Sequence, residues 1–234
     1  MNYLFTHLDD AWALTLIHLR LSLVPLLIGL VIAVPLGAFV HRNTVLRRVV
    51  TVTASIVFTV PSLALFVVLP LIIPTRILDE ANVIVALTLY TVALLVRVVP
   101  EALDAVPPAV LDAATAIGYR PWVRVVKVEL PLAIPVLIAG LRVVAVTNIS
   151  MVSVGSVIGI GGLGTWFTEG YQADTSEQII AGIVAIFVLA IVIDTLIMLV
   201  GKAATPWTRA GQVSRRAAKA AGASEATGQE AEAT

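Results

Sequence analysis

Residues 112–131 read DAATAIGYRPWVRVVKVELP and separate two long apolar stretches of the chain. Around the start of this segment, small and aliphatic side chains recur at the spacing of an amphipathic helix. The side chains that share one side of that helix are Val110, Ala113, Ala114 and Ile117. Because Ala113 and Ala114 are small, we expect them to form a surface that another element can approach closely.

Glycine and proline mark the turns in this segment. Gly118 permits the left-handed backbone conformation that ends a helix, and Pro121 suits the first turn of a second short helix. We expect Leu130-Pro131 to stop that second helix and to lead into the next apolar stretch. The segment is polar enough to lie outside a membrane, and we expect it to meet a soluble partner.

The composition assigns the chain to a broad class. Of its 234 residues, 59% are hydrophobic and 13% are charged, which is far too apolar for a water-soluble domain of this length. No cysteine is present, so disulfides and cysteine metal sites are excluded. Asp9 and Asp10 stand where a signal peptide would be basic, so we expect the first apolar segment to be retained. The sequence predicts an integral membrane protein.

Five apolar windows are long enough to cross a bilayer, since a hydrocarbon core of roughly 30 Å needs about 20 helical residues. They are residues 21–40, 50–73, 82–99, 132–154 and 178–200. No alternating ten-residue strand pattern recurs, and a helix satisfies its own backbone groups in lipid. We therefore predict an all-α polytopic membrane protein with about five transmembrane helices.

The loops differ in charge. Most of the 15 Lys and Arg residues follow the first, third or fifth window, whereas residues 155–177 contain acidic side chains and no Lys or Arg. Basic residues concentrate in cytoplasmic loops. We therefore expect the N-terminus outside the cell and the C-terminus in the cytoplasm, with residues 112–131 on the cytoplasmic side.

These patterns divide the chain into three parts. Residues 1–20 are predicted to be an extracytoplasmic N-terminal segment, and residues 21–202 a transmembrane domain with a cytoplasmic loop at 101–131. Residues 203–234 are rich in small and polar side chains, which predicts a solvated, disordered cytoplasmic tail.

The segment from Asp112 onward resembles the EAA loop of the inner-membrane permease subunits of binding-protein-dependent ABC importers. That loop has the pattern Glu-Ala-Ala, three residues, Gly, nine residues, Ile, any residue, Leu-Pro. Here Asp112 stands for the Glu and Val128 for the Ile. The residues that match the pattern are Ala113, Ala114, Gly118, Leu130 and Pro131. The resemblance implies a coupling helix that docks in a groove of a separate ATPase subunit.

The resemblance also implies the partners and the source of energy. ATP with Mg²⁺ would bind to partner ATPase subunits, since this chain has no GxxxxGK[ST] loop; the chain itself would carry no cofactor, no metal and no catalytic residue. An extracytoplasmic binding protein would deliver the substrate. A second permease copy or a paralogue would complete the pathway, because five helices are too few to enclose it. The setting would be a bacterial plasma membrane, with lipid around the chain and no nucleic acid partner.

Three further runs look like the permeases of the osmoprotectant branch of this family. They are residues 18–37, 58–72 and 156–172. With the EAA loop, the resemblance extends from about residue 14 to residue 200. It implies glycine betaine, choline, carnitine or a related quaternary amine as cargo. The permeases of methionine importers share the five-helix core, so methionine or another amino acid is the alternative cargo.

Candidate pathway residues lie inside the apolar windows. Arg142 falls near the middle of the fourth window, where a charge is costly and requires a reason. Either Arg142 lines the translocation pathway and attracts a substrate carboxylate, or it caps helix carbonyls near Pro135. Pro61 and Ser62 in the second window are further pathway candidates. Asp194 is expected to reach interfacial water or a basic neighbour, in a structural role.

Residues 159–164 read GIGGLG. No strand precedes this run and no helix with a ribose-binding acid follows it, so we do not interpret it as a dinucleotide-binding fingerprint. We expect a tight re-entrant turn at the outer mouth. The outer-gate candidates are Gly159, Gly161, Gly162, Gly164 and Trp166. Trp166, with Phe167 and Tyr171, forms either a transient aromatic surface near the gate or part of an interfacial belt.

Two other classes of membrane protein fit less well. A metalloenzyme would need paired ligands, and His7, His18 and His41 do not have metal-site spacing. A secondary transporter would be expected to contain an inverted repeat, which the five windows do not show, and it would leave the EAA-like loop unexplained.

Overall fold

The computed structural model describes residues 2–76 and 78–208. Within these residues the regular structure is helical and no strand occurs, so the all-α prediction is confirmed. The α-helices are, in chain order, α1 Asn2–Thr6, α2 Leu8–Val40, α3 Thr44–Thr59, α4 Ser62–Val68, α5 Glu80–Asp104, α6 Pro108–Ala116, α7 Pro121–Arg124, α8 Leu130–Gly155, α9 Thr165–Gln172 and α10 Ser176–Ala204.

Four of the described helical stretches are long and apolar enough to cross a membrane by themselves. They are α2, α5, the stretch Pro121–Ile158 that contains α8, and α10. A fifth span results when the bent pair Thr44–Thr59 and Ser62–Leu71 is counted as one. The predicted number of about five spans agrees with this arrangement.

The first span begins earlier than predicted. Helix α2 starts at Leu8 and contains 33 residues, so most of the predicted segment 1–20 is continuous with the span. No proline precedes Pro25 in this helix, and the chain has no reason to stop at residue 20. At 1.5 Å per residue α2 is about 50 Å long, which exceeds a hydrocarbon core of roughly 30 Å. Residues 8–20 therefore belong to the same helix as the first span, and the extracytoplasmic position of residues 1–20 stays a prediction.

The second predicted window is not one straight helix. Its two parts, Thr44–Thr59 and Ser62–Leu71, meet at an angle of 89°. Between them Val60 and Pro61 have extended backbone, with ψ of 129° and 131°. Proline disfavours helical conformation at the residue before it, and the Tyr90 hydroxyl donates to the Val60 carbonyl at 2.6 Å. Pro61 thus breaks the helix, and a bond from α5 stabilises the break.

The fourth span has no stop at Leu130-Pro131, so that expectation is wrong. A five-residue π-helix, Val125–Glu129, joins α7 to α8, and the Leu130 N–H bonds to the Val125 carbonyl five residues back. Pro131 then stands in the first turn of α8, where its missing N–H costs little. The proline therefore leaves the helical path uninterrupted.

Helix α5 is the most buried of the spans, and α2, α3 and α8 pack around it. Glycines allow two of these helices to approach it closely. On α2, a Cβ added at Gly29 would lie 2.3 Å from Thr91, and one added at Gly37 would lie 2.5 Å from Val99. On α8, a Cβ added at Gly140 would lie 2.4 Å from Val98. Close packing at small residues is the usual basis of helix association in membranes.

The contacts divide the described chain into two units, of which the second contains residues 199–208. Helix α10 extends to Ala204, so the first two residues of the predicted disordered tail are helical. Beyond the helix, the Thr208 hydroxyl donates to the Thr205 carbonyl at 2.8 Å. Residues 209–234, which make up most of the predicted tail, lie outside the described residues.

Candidate functional site

Helix α6 ends at the glycine that the sequence singled out. Gly118 has a φ of +89°. Its N–H bonds to the Thr115 carbonyl at 3.0 Å, and the Tyr119 N–H bonds to the Ala114 carbonyl at 3.1 Å. This pair of bonds is the Schellman arrangement that closes helix C-termini. The prediction that Gly118 ends the helix in the left-handed conformation is confirmed.

The two faces of α6 differ from the expected ones. Asp112 and Ala113 are exposed, whereas Ala114 is only 5% exposed. On the inner side, Val110 and Leu111 pack against a buried cluster that includes Leu103 and Val125. Ala113 and Ala114 therefore do not share one exposed surface, because the chain itself covers Ala114; the docking role of this pair stays a prediction. A helix of nine residues needs part of its apolar side to hold it to the rest of the chain.

The second half of the motif lies at the start of the fourth span. Val128 belongs to the π-helix, and Leu130 and Pro131 begin α8. All three are half-buried. Leu130 packs against the same apolar cluster as α6. The motif residues thus lie on two elements that one cluster joins.

Between Val128 and Leu130 stands a buried carboxylate that the sequence did not single out. Glu129 is 1% exposed. Its Oε1 accepts a hydrogen bond from Arg124 Nε at 2.8 Å and another from Arg42 Nη2 at 3.2 Å. A buried charge is costly unless it is paired and hydrogen-bonded. The two arginines provide that pairing.

Both arginines also bind a second group. Arg42 Nη2 donates to the Pro121 carbonyl at 2.9 Å, and Arg124 Nη1 donates to Thr115 Oγ1 at 2.6 Å. We call Thr115, Arg124, Glu129 and Arg42 the ionic clamp. It connects α6, the π-helix before α8, and the residue that follows the C-cap of α2.

The clamp shows that two of the basic segments of the chain lie close together. It brings together Arg42, which follows the first span, and Arg124, which follows the third. The two basic segments therefore lie at the same end of the bundle, as their charge predicts. A different ion pair, Arg20 with Glu80, joins α2 to the start of α5.

Arg142 makes a two-pronged ion pair with Asp194. Its Nε lies 2.7 Å from Oδ1 and its Nη2 lies 2.6 Å from Oδ2. The pair joins α8 to α10, and the two side chains are 35% and 29% exposed. The basic neighbour expected for Asp194 is Arg142. Because these bonds go to a carboxylate, the alternative of a cap on carbonyls near Pro135 is wrong; a pathway role remains a prediction.

The other pathway candidates lie at a different place. Pro61 and Ser62 are at the 89° bend, where Pro61 is exposed and Ser62 begins α4. Contacts from α5 hold this bend, through the bond of Tyr90 to Val60 and an edge-on contact of the Phe58 and Tyr90 rings. Arg142 is held by α10 instead. The candidates thus belong to separate sets of contacts.

The glycine run after α8 forms the predicted tight turn. Gly159 and Gly162 have φ of +80° and +41°, and the Ile160 N–H bonds to the Gly155 carbonyl at 2.9 Å. Backbone atoms fill the space beside most of these glycines. A Cβ would lie 2.3 Å from the Ile160 oxygen at Gly155, 2.4 Å from Ser156 Cα at Gly161, 2.8 Å from the His18 nitrogen at Gly162 and 2.8 Å from Ser153 Cα at Gly164.

Trp166 does not belong to an exposed aromatic surface, so that alternative is wrong for this residue. It is 2% exposed and meets the Tyr3 ring edge-on at a centroid distance of 5.5 Å. Tyr171 is 82% exposed. Trp166, the first aromatic residue of α9, therefore lies on the side of this helix that packs against the rest of the chain.

A buried polar cluster lies beside the glycine turn. Asn148 Nδ2 donates to Thr91 Oγ1 at 2.9 Å and to the Ser22 carbonyl at 3.3 Å. His18 Nε2 hydrogen-bonds to the Ile149 carbonyl at 2.9 Å. Thr91 and Asn148 are polar side chains inside the third and fourth apolar windows, and this feature of the sequence could have predicted the cluster. Within residues 2–76 and 78–208, no three His, Asp or Glu side chains are grouped as a metal site requires.

Comparison with known proteins gives the family. A model of the family described as binding-protein-dependent transport system inner membrane component matches residues 13–210. The osmoprotectant import permease protein OsmW of Salmonella typhimurium is 34% identical over 202 residues, which cover 84% of this chain and 93% of that protein. The glycine betaine/carnitine/choline transport system permease protein OpuCB of Bacillus subtilis is 34% identical and covers 88% and 94%.

Solved structures give the same result for the fold. The inward-facing MetNI methionine ABC transporter contains a chain that is 25% identical and superposes with a TM-score of 0.74, covering 88% of this chain and 99% of that one. A second crystal form of that transporter superposes with a TM-score of 0.73. By sequence and by fold, this chain belongs to the family of inner membrane components of binding-protein-dependent transport systems.

Proposed function

We propose that the chain is the membrane-spanning subunit of an ATP-driven importer of quaternary-ammonium osmoprotectants such as glycine betaine, choline or carnitine. The observation that carries this proposal is the similarity to two osmoprotectant permeases, each 34% identical and matched over more than 80% of both chains. The substrate is translocated and not chemically changed, so the chain is a transporter subunit and not an enzyme.

The energy comes from separate ATPase subunits that bind ATP with Mg²⁺. Helix α6 docks in a groove of such a subunit, in the manner of an amphipathic helix that inserts its apolar side chains into a partner. The exposed side chains available for docking include Asp112, Ala113 and Ile117, the last of which is 77% exposed. The open space around Gly118 supports this proposal, because a partner can approach the turn closely.

The chain lies in a bacterial plasma membrane with its N-terminus outside and its C-terminus in the cytoplasm. The clamp supports this orientation, because it places two arginine-bearing segments at one end of the bundle, and basic loops favour the cytoplasmic side. An extracytoplasmic binding protein delivers the substrate to the opposite end. A second copy of the chain or a paralogue completes the pathway, and the glycine turn lies at its outer mouth.

The translocation pathway runs along the face of the bundle that carries Arg142 and Asp194. Charged side chains inside a membrane normally face a protein neighbour or a water-filled cavity. These two are 35% and 29% exposed in the single chain, so the second permease subunit or the pathway itself must cover them. The break at Pro61 and Ser62, which α5 holds separately from Arg142, forms another part of the pathway, because broken helices are common where transporters bind substrate.

Uptake measurements on the complete complex test this proposal. The chain is reconstituted with its ATPase and binding protein, and uptake of radiolabelled glycine betaine is followed with and without ATP. We expect ATP-dependent uptake that unlabelled choline or carnitine reduces and that methionine leaves unchanged. ATP-dependent methionine uptake without a betaine response would reject the osmoprotectant assignment and retain the permease assignment.

Methionine is the second candidate cargo because of the structural similarity to a methionine transporter chain with a TM-score of 0.74. The sequence identity to that chain is 25%, against 34% for the osmoprotectant permeases. The competition experiment distinguishes the two substrates directly.

A further inference from the structure

We propose that the ionic clamp of Thr115, Arg124, Glu129 and Arg42 is the positioning device that makes α6 move as one body with the adjoining ends of α2 and α8. This inference rests on the proposed function, because it takes α6 to be the element that an ATPase moves. It adds the residues that pass this motion to two membrane spans at once.

The clamp is centred on a carboxylate that has little access to water. The Glu129 side chain is 2% exposed, whereas those of Arg42 and Arg124 are 35% and 24% exposed. A buried carboxylate that loses a partner is strongly disfavoured. The two arginines are therefore held to Glu129 more firmly than two exposed charges would be, and the elements that carry them are held as well.

Arg42 fixes the end of α2. It follows the C-cap residue His41 and binds both the Glu129 carboxylate and the Pro121 carbonyl through the same Nη2 atom. The first acceptor lies at the end of the π-helix and the second at the first residue of α7. Arg42 thus connects the end of the first span to both the first and the last residue of the segment 121–129. The Phe39 and Trp122 rings add a parallel contact between the same segments, at a centroid distance of 6.4 Å.

Arg124 extends the clamp to α6. Its planar guanidinium presents Nε to Glu129 and Nη1 to Thr115, so the geometry of one rigid group sets the relative position of the two acceptors. The Thr115 hydroxyl in turn donates to the Leu111 carbonyl at 2.8 Å. The contact therefore reaches the backbone of α6 and does not end at a mobile side chain.

Apolar packing alone would hold α6 less precisely. Its inner side rests on the cluster of Leu103, Val106 and Val125 through Val110 and Leu111, and such contacts have no strict direction. Hydrogen bonds between charged groups are directional and depend steeply on distance and angle. Apolar packing alone would allow α6 to slide across the cluster. The clamp therefore sets the register of α6 on this surface.

A second ion pair near the clamp provides a matched control. Arg47 Nη1 lies 2.8 Å from Asp104 Oδ2, and the two side chains are 32% and 49% exposed. This pair joins α3 to the end of α5 and does not include any residue of α6, α7 or the π-helix. Exposed pairs of this kind contribute little to stability, so Asp104→Asn removes an ion pair that includes no residue of the clamp. Asp104 Oδ1 also lies 3.5 Å from His41 Nδ1, and asparagine, which has the same size and keeps an oxygen, can retain this contact.

The first measurement is the amount of substrate transported per ATP hydrolysed by the complete complex. We compare Glu129→Gln, Thr115→Val and the control Asp104→Asn. Thr115→Val leaves both arginines on Glu129, so it tests the clamp without stranding a buried charge. We expect both clamp variants to keep ATP hydrolysis that responds to the binding protein. Transport per ATP should fall at least about fivefold, the lower end of the range typical of coupling between sites. Asp104→Asn should keep the wild-type ratio.

The second measurement does not depend on transport. The chain contains no cysteine, so spin labels at Ala109→Cys in α6 and Val45→Cys in α3 would be its only labels; both positions are exposed. Double electron–electron resonance on the full-length chain in lipid nanodiscs gives the distance distribution between them. We expect a single narrow distribution for the wild type and for Asp104→Asn. Both clamp variants should show a broadened one.

Each outcome bears on the proposal. Narrow distance distributions in both Glu129→Gln and Thr115→Val would overturn the proposal that the clamp holds α6 in position, whatever the transport result. Broadened distributions with an unchanged transport ratio overturn its coupling role and leave a structural one. If the wild-type complex transports no substrate with ATP, the proposed function fails, and the distance measurement still decides whether the clamp holds α6 in place.

Discussion

Two turns of the chain use glycine with positive φ in different surroundings. At the turn between α6 and α7, a Cβ on Gly118 would meet no atom within 4 Å, and the ionic clamp holds the neighbouring elements. At the turn between α8 and α9, the chain packs backbone against backbone, and a Cβ at Gly155, Gly161, Gly162 or Gly164 would approach other backbone atoms to 2.3–2.9 Å.

This difference separates a connection held by side-chain bonds from one held by backbone packing. The clamp binds α6 to the adjoining ends of α2 and α8, so we expect these three parts to move together in the transport cycle. Close backbone packing resists small displacements because the interior has no spare volume. We therefore expect the glycine turn to remain rigid against α2 and α8.

The largest effect is expected at the glycine turn. Gly162→Ala adds a Cβ at a φ of +41°, 2.8 Å from the His18 backbone nitrogen. Strain and overpacking together should cost about 2–5 kcal/mol, and folded protein should largely disappear from the membrane fraction. Gly159→Ala is the control, because it has a φ of +80° and open space. Equal abundance of the two variants would show that the turn is not closely packed.

Variants of the ion pair between α8 and α10 test whether a charge contact between two spans matters as much for membrane abundance as the close packing of the glycine turn. Asp194→Leu leaves Arg142 without its two bonds, and we expect a severalfold loss of membrane abundance. The double variant Arg142→Leu/Asp194→Leu should recover abundance, because an apolar pair can replace an ion pair. Betaine uptake by the recovered variant is then the readout. Wild-type uptake would exclude Arg142 and Asp194 from the pathway.

An intermediate effect is expected from loss of one arginine of the clamp. Arg124→Met removes the bonds to Glu129 and Thr115, while Arg42 still pairs with Glu129. We expect a loss of about 2 kcal/mol, as for a hydrogen bond to a charged group, measured as a lower thermal midpoint in detergent. Arg120→Met changes an exposed arginine of the same loop and should leave the midpoint unchanged. A midpoint for Arg124→Met equal to that control would mean that the clamp does not stabilise the fold.

The smallest effect is expected at Gly118. A Cβ there meets no neighbour, so Gly118→Ala costs only the left-handed conformation at a φ of +89°, which is about 1 kcal/mol. Gly118→Asn should cost less, because asparagine tolerates this conformation better. The thermal midpoints of both variants check the order. A loss as large as that of Gly162→Ala would contradict the contrast between the two turns.

Local patterns were sufficient for much of the fold. Runs of apolar residues predicted the spans, and a glycine followed by a proline predicted how α6 ends and α7 begins. Basic residues after the first and third windows predicted that these segments lie at one end of the bundle. Each of these features depends on neighbours in sequence or on the membrane as a solvent, so no knowledge of packing was required.

Local patterns failed where distant residues meet. Ala114 matches the family pattern as well as Ala113 does, yet it faces the chain's own core. Pro131 is a local exception: it stands in the first turn of α8, directly after the π-helix, and so it does not stop the helix. Glu129 had no distinguishing pattern, because its partner Arg42 is 87 residues away.

The order of the amino acids is enough to predict a helical membrane protein with an EAA-like segment between two spans, because hydrophobic length, charge bias and glycine and proline positions act locally. Which charges meet depends on how the spans pack against one another. Glu129 and Arg42 are 87 residues apart along the chain, and Arg142 and Asp194 are 52 residues apart, yet the members of each pair are in contact. Such pairs form only after the spans have packed, since burial is what makes an unpaired charge too costly to leave alone.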